Sequence, residues 1–250
     1  YEIHSTNNNI VNVTSKEQVI KTKIKVTKLD SENKTCTAQG QAKLDGAKYG
    51  IYNSKNELVD NVVIGNDCTA TSKDLPYGKY TVKELEPSEG YYIDSTKYSI
   101  SIVNNELIEI TSYEEVIKNY ISILKQYDFV DGQTTFLNAE KDIVFDIYYL
   151  DGRKFDSIKT DKNGYASINL PYGVWKLRQV NTNTGYEKIY DFFITVNRES
   201  ELEQYYNILN NKLSAYLQVF KVDEETGKTI ALANTTFKIY NKDTKQYISQ

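Results

Sequence analysis

Two cysteines, Cys36 and Cys68, are the most reactive side chains in the sequence. In a secreted chain such a pair reads as one disulfide; in a reducing compartment it reads as two free thiols. With a single histidine, His4, near the start of the sequence, a multi-histidine metal site is excluded and a His-based triad is not expected. Serine and threonine are frequent, but there is no Gly-x-Ser-x-Gly elbow and no phosphate loop. Asp30-Ser31-Glu32 and Asp223-Glu224-Glu225 lack the oxygen spacing of a calcium loop and read as solvated turns. Trp175 could stack on a sugar, but it stands on a core-type strand, so a packing role is expected. No metal and no cofactor is expected, and an enzyme acting on a separate substrate is the least favoured reading.

The 250 residues suffice for about two ordinary domains. Lys plus Arg is 30 and Asp plus Glu is 34, a net charge of −4, with no basic cluster interleaved with aromatics. That balance argues against a nucleic-acid partner. The chain starts at Tyr1 and has no methionine, so a processed or cut start is expected. No apolar run is long enough to cross a bilayer. The 22 tyrosines, with Ile, Val and Thr, fit pleated, half-buried strands.

Internal similarity organises the rest. Val13-Thr14-Ser15 with Val19-Ile20-Lys21 returns as Ile110-Thr111-Ser112 with Val116-Ile117-Lys118, a shift of 97 residues between Val19 and Val116. Ile24 to Lys28, Ile121 to Lys125 and Leu217 to Lys221 each alternate in the strand manner and end on a lysine. Ala47 to Tyr52, Val144 to Tyr148 and Phe237 to Tyr240 form an aromatic strand in each copy. Leu75-Pro76-Tyr77-Gly78 matches Leu170-Pro171-Tyr172-Gly173, and each leads to a Gly-Tyr pair, Gly90-Tyr91 and Gly185-Tyr186. Asp161-Lys162-Asn163-Gly164 is a hairpin signal.

A period near 96 residues is too long for a solenoid and fits a string of β-sandwiches. Four segments follow. Residues 1–20 end a preceding sandwich, 21–117 and 118–213 are two full domains, and 214–250 begin a further copy without its Leu-Pro-Tyr-Gly segment. That stub is disordered, completed by another chain, or a product of where the sequence was cut. The linkers are short and hold no Gly or Pro run, so a stiff rod is expected.

Val26-Thr27-Lys28-Leu29-Asp30, Leu44-Asp45-Gly46-Ala47-Lys48-Tyr49-Gly50-Ile51-Tyr52 and Leu75 to Glu84 closely resemble the B-type repeats of collagen adhesins. The same repeat builds the SpaA-like pilins of Gram-positive bacteria. Lys221-Val222-Asp223-Glu224-Glu225-Thr226-Gly227-Lys228 resembles it too. The resemblance implies an all-β fold of tandem prealbumin-like (Ig-like) sandwiches. It also implies a self-made amide between a first-strand lysine and a last-strand Asn or Asp, promoted by a glutamate. Burial lowers the lysine pKa so that the neutral amine can attack, and keeps the carboxyl able to shuttle protons.

Carried over residue by residue, the lysine position is Lys28, Lys125 and Lys221. The glutamate position is Glu84 in the first full domain and Gln179 in the second, where Gln cannot exchange a proton. The acceptor position is Asn210 in the second domain and Glu114 in the first. Neither domain is therefore expected to hold the full set. A Lys28–Glu84–Glu114 ion-paired cluster, with a Cys36–Cys68 disulfide as the staple, is the expectation for the first domain. The functional expectation is an extracellular, cell-surface stalk or pilus-like filament subunit. Its partners are copies of itself in a fibre or neighbouring domains of a longer chain. A ligand-binding adhesin for host protein or glycan, and accessory domains of a secreted enzyme, are the alternatives.

Overall fold

The computed structural model of the chain describes residues 12, 14–131, 134–183, 185–213, 216–231, 234–242 and 245–248. Residues 14–20 form no strand, and most of the segment before them lies outside the described residues.

The first sandwich opens with a short strand β1 (Lys21–Thr22) and the long inward-alternating β2 (Ile24–Asp30). It continues through β3 (Lys48–Asn53), β4 (Leu58–Val63), β5 (Thr69–Thr71), β6 (Leu75–Pro76), β7 (Gly78–Glu86), β8 (Lys97–Ile102) and β9 (Ile108–Glu114). One sheet runs β5-β2-β9 and the other β4-β3-β7-β8. β2 and β9, near the two ends of this sandwich, lie side by side and parallel, with Lys28 opposite Ser112 and Asp30 opposite Glu114. Ile24 and Val26 from one sheet meet Tyr49, Ile51, Val82 and Ile102 from the other, all almost wholly buried. Strand alternation puts every second residue on one face, so the row that begins with Ile24 and Val26 continues inward to Lys28 and Asp30.

The second sandwich repeats this plan with β10 (Lys118–Asp131), β11 (Thr134–Ala139), β12 (Val144–Tyr148), β13 (Lys154–Lys159), β14 (Tyr165–Pro171), β15 (Gly173–Gln179), β16 (Phe192–Val196) and β17 (Glu203–Asn210). β10 pairs with β14 through its first half, with β11 through its second, and in parallel with β17. The other sheet runs β13-β12-β15-β16. Ile121, Ile123, Phe145, Ile147, Leu177 and Ile194 fill the core around Trp175, which is fully buried against Tyr149 and Phe155 and donates its indole N–H to Pro171 O at 2.8 Å. The expected hairpin at Asp161–Gly164 is a tight turn, with Asp161 Oδ1 accepting from Asn163 N and Tyr165 N. The strands it joins do not pair, because β13 and β14 belong to opposite sheets.

Residues 213–250 form a separate unit. Its described strands are a hairpin of β18 (Ile239–Asn241) and β19 (Gln246–Ile248). Lys221 is exposed.

Candidate functional site

Each sandwich carries one lysine whose side chain has no solvent exposure, and the two lysines sit in different company. In the first, Lys28 Nζ lies 3.0 Å from Glu84 Oε1 and 3.5 Å from Glu114 Oε2. Glu84 comes from β7, and its other oxygen accepts the Asp94 N–H at 2.6 Å. Glu114, at the end of β9, accepts on Oε1 from Tyr49 OH at 2.9 Å and from Ser112 Oγ at 2.6 Å. Two carboxyls thus share one ammonium in an apolar interior, where two unbalanced negative charges are costly. Burial pushes the Glu84 pKa above its ordinary value, and the neighbouring Glu114 adds to the rise. Burial likewise drives the Tyr49 hydroxyl far up, so it stays a hydrogen-bond donor.

In the second sandwich Lys125 Nζ lies 2.8 Å from Glu140 Oε2. The amide Nδ2 of Asn210 donates to the same Glu140 oxygen at 2.9 Å and to Thr182 Oγ1 at 2.8 Å. Lys125 Nζ also donates to Gln126 O at 2.8 Å. Burial lowers the Lys125 pKa, with Glu140 opposing the shift. The glutamate beside this lysine therefore stands at position 140, in the turn after β11, and not at position 179. Gln179 touches neither nitrogen; its Nε2 donates to Asn181 O at 2.8 Å and its Oε1 accepts the Ile189 N–H at 3.3 Å. Glu84 does two jobs at once, pairing with the lysine and holding the following loop. In the second sandwich Glu140 does the first job and Gln179 keeps the second.

Alignment of the repeats misses Glu140 because one period earlier stand Lys43 and Leu44, in the stretch where the two sandwiches differ most. In the first sandwich that stretch is the long connection between β2 and β3, and in the second it contains β11. Glu140-Lys141-Asp142 looks like a solvated turn; no local signal separates it from one.

A carboxylate bonded to both an amine and a primary amide can take a proton from one nitrogen and deliver one to the other. Glu140 is so placed. Glu84 and Glu114 are bonded to an amine and to hydroxyl or main-chain donors, and among the described residues no primary amide donates to either.

Cys36 and Cys68 are joined in a disulfide with Cα atoms 5.8 Å apart. It links the connection after β2 to the turn before β5, and β5 is already the hydrogen-bonded neighbour of β2. It does not reach β9. Among the described residues no group of three His, Cys, Asp or Glu side chains is placed to hold a metal ion.

Paired sheets with parallel first and last strands, each with a lysine buried in the first strand, define a tandem prealbumin-like β-sandwich protein. The sequence model of the SpaA prealbumin-like fold domain matches residues 22–116 and 137–212, and the chain belongs to this family. The trypsin-resistant surface T6 protein of Streptococcus pyogenes serotype M6 is 35% identical over 92 residues, covering 36% of this chain and 16% of that protein. The solved structure of the Bacillus anthracis TIE protein superposes with a TM-score of 0.62 at 27% identity, covering 77% of this chain and 35% of that one. The chain thus spans well under half the length of either relative.

Proposed function

We propose that the chain is a section of an extracellular stalk or pilus-like fibre on a Gram-positive cell surface, and that its second sandwich closes itself with a Lys125–Asn210 amide. The single observation that carries this reading is the Glu140 oxygen shared by Lys125 Nζ and Asn210 Nδ2. Neutral Lys125 Nζ attacks Cγ of Asn210. Glu140 relays a proton from Nζ to Nδ2, the Cγ–Nδ2 bond breaks, and one ammonia leaves as the amide forms. No other reactant is required. The family membership and the surface protein among the relatives support the cellular setting.

The bond suits a structure under tension. β10 and β17 lie parallel, with Tyr127 opposite Asn210. Pulling on the start of β10 and the end of β17 shears that ladder. An amide between Lys125 and Asn210 passes the force directly across and spares everything folded between them. By loop-closure entropy it also stabilises the sandwich by about 4–5 kcal/mol. In the first sandwich the ion-paired cluster of Lys28, Glu84 and Glu114 occupies the same place without a primary amide to expel.

Intact mass spectrometry of the purified chain tests the reading. A mass lower by one ammonia than that of the disulfide-bonded sequence is expected, with no such deficit in Glu140→Ala. A wild-type mass equal to that of the disulfide-bonded sequence would remove the amide.

A ligand-binding role is the second reading. The outward face of the second sandwich carries Tyr120, Tyr165 and Tyr205, the last 71% exposed. Binding of a host glycan or protein that is lost in Tyr205→Ala, with any ammonia deficit the same as in the wild type, would favour it.

A further inference from the structure

The disulfide lies where the two sandwiches meet. Between Cys36 and β3 the chain leaves the first sandwich and lies against the second. Gln41 N donates to Tyr172 O at 2.8 Å, and the Gln41 side chain brackets Val174, donating from Nε2 to its carbonyl at 2.7 Å and accepting its N–H at 3.3 Å. Gly40 has φ +61°, and a Cβ there would stand 2.6 Å from Tyr172 O. Gly90, at φ +84°, faces it from the other side, where a Cβ would be 2.5 Å from that of Ala42 and 2.8 Å from the Tyr172 ring. The strap's own Ala42 and Leu44 form a small buried core with Tyr91 and Val116, with Tyr172 packed against it, and Cys68 belongs to that core.

The strap is held to the first sandwich at both ends. Toward β3, Lys43 N donates to Glu89 O at 2.9 Å. Toward Cys36, Asn33 Nδ2 donates to Thr37 O at 2.7 Å, and Asp30 accepts from Gln39 Nε2 at 3.0 Å and from Tyr91 OH at 2.9 Å. The disulfide is the covalent tie at that end. The second sandwich shows what the bond is not needed for. Lys28 N donates to Cys68 O at 2.8 Å, and Lys125 N donates to Gly164 O at 2.8 Å, so Gly164 is the counterpart of Cys68. Gly164 sits at φ +80° and Cys68 at φ +60°. A side chain in this region is strained relative to glycine. The same turn is built in the second sandwich without a cysteine, so the sulfur serves the strap that only the first sandwich has.

We infer that the Cys36–Cys68 bond anchors an interdomain strap, making the stiffness of the joint between the two sandwiches dependent on redox state. Oxidised, the strap holds Tyr172 and Val174 and the two sandwiches move as one body. A dithiol reduces the bond: two electrons and two protons yield two cysteine thiols, and the dithiol closes to its own disulfide. The strap then loses its N-terminal anchor and the joint loosens, while each sandwich keeps its own core. The inference rests on the fold and the disulfide and is independent of the Lys125–Asn210 amide.

Amide hydrogen exchange on the full chain tests it, before and after treatment with dithiothreitol, with Gln41→Ala and Cys36→Ser/Cys68→Ser alongside. Reduction is expected to speed exchange at Gln41 and Lys43 by about tenfold or more while Ile51, Val82, Ile123 and Ile147 stay protected. Gln41→Ala, with its disulfide intact, should loosen the same amides. Unchanged protection at Gln41 after verified reduction would overturn the inference. So would an equal rise across the whole first sandwich, because the disulfide would then be a general staple of that fold. If the double serine variant does not fold, reduction of the folded wild type and Gln41→Ala still decide the matter.

Discussion

The two sandwiches place a lysine at the same point of the same strand and surround it differently. Lys28 faces two carboxyls, Glu84 and Glu114, braced by Tyr49, Ser112 and the Asp94 N–H. Lys125 faces one carboxylate that also holds a primary amide. The first arrangement balances charge, and the second can move a proton between two nitrogens. A buried lysine is thus a scaffold position, and its chemistry is set by what the last strand and the nearest turn bring to it.

The largest expected effect separates these two roles. Asn210→Ala removes the proposed Lys125–Asn210 bond and should cost the second sandwich about 4–5 kcal/mol, read from denaturant unfolding; an unchanged midpoint would mean the two strands hold by packing alone. Lys28→Met should cost the first sandwich about 3–5 kcal/mol by leaving Glu84 and Glu114 without a cation. Replacing both carboxyls by Gln in that variant should restore most of the loss, and no recovery would show that the cost was packing.

The pH dependence should differ as well. Burial raises Glu84 in the folded state, so the folded chain keeps a proton that the unfolded chain releases. Its favourable contribution is complete below the ordinary glutamate value and declines as pH climbs from there through the raised folded value. Hydrogen bonds hold Asp30 and Asp94 below the ordinary aspartate value despite burial, so their contributions are lost only in more acidic solution. Glu84→Gln should flatten the upper window and leave the acid limb in place, as thermal melts across pH would record. The smallest effect concerns Gln179. Gln179→Glu should leave the mass and stability of the second sandwich nearly unchanged while Glu140 is present. If the amide forms only after that change, position 179 and not Glu140 supplies the proton relay.

Sandwich architecture was legible because it rests on short-range regularity. The period of two that buries Ile24 and Val26 also buries Lys28, and the same count buries Lys125 after Ile121 and Ile123. The turn motifs repeat at one spacing, so the copies can be aligned by eye. Asn210 could be found the same way, since it ends a strand whose register follows from its partner.

Glu140 and the strap could not be found so. Glu140 reaches Lys125 because β11 folds back on β10 and delivers the next turn into the core, and that geometry has no counterpart in the first copy. Gln41 meets Val174 across more than a hundred residues of chain. Alternation and turn chemistry act between near neighbours, so the repeated sandwich, its inward lysines and the Lys28–Glu84–Glu114 cluster could be read from the residues and their repeat. That Glu140 serves Lys125, and that the disulfide lies against the joint, came from the folded chain alone, because those contacts depend on how separate connections converge in space.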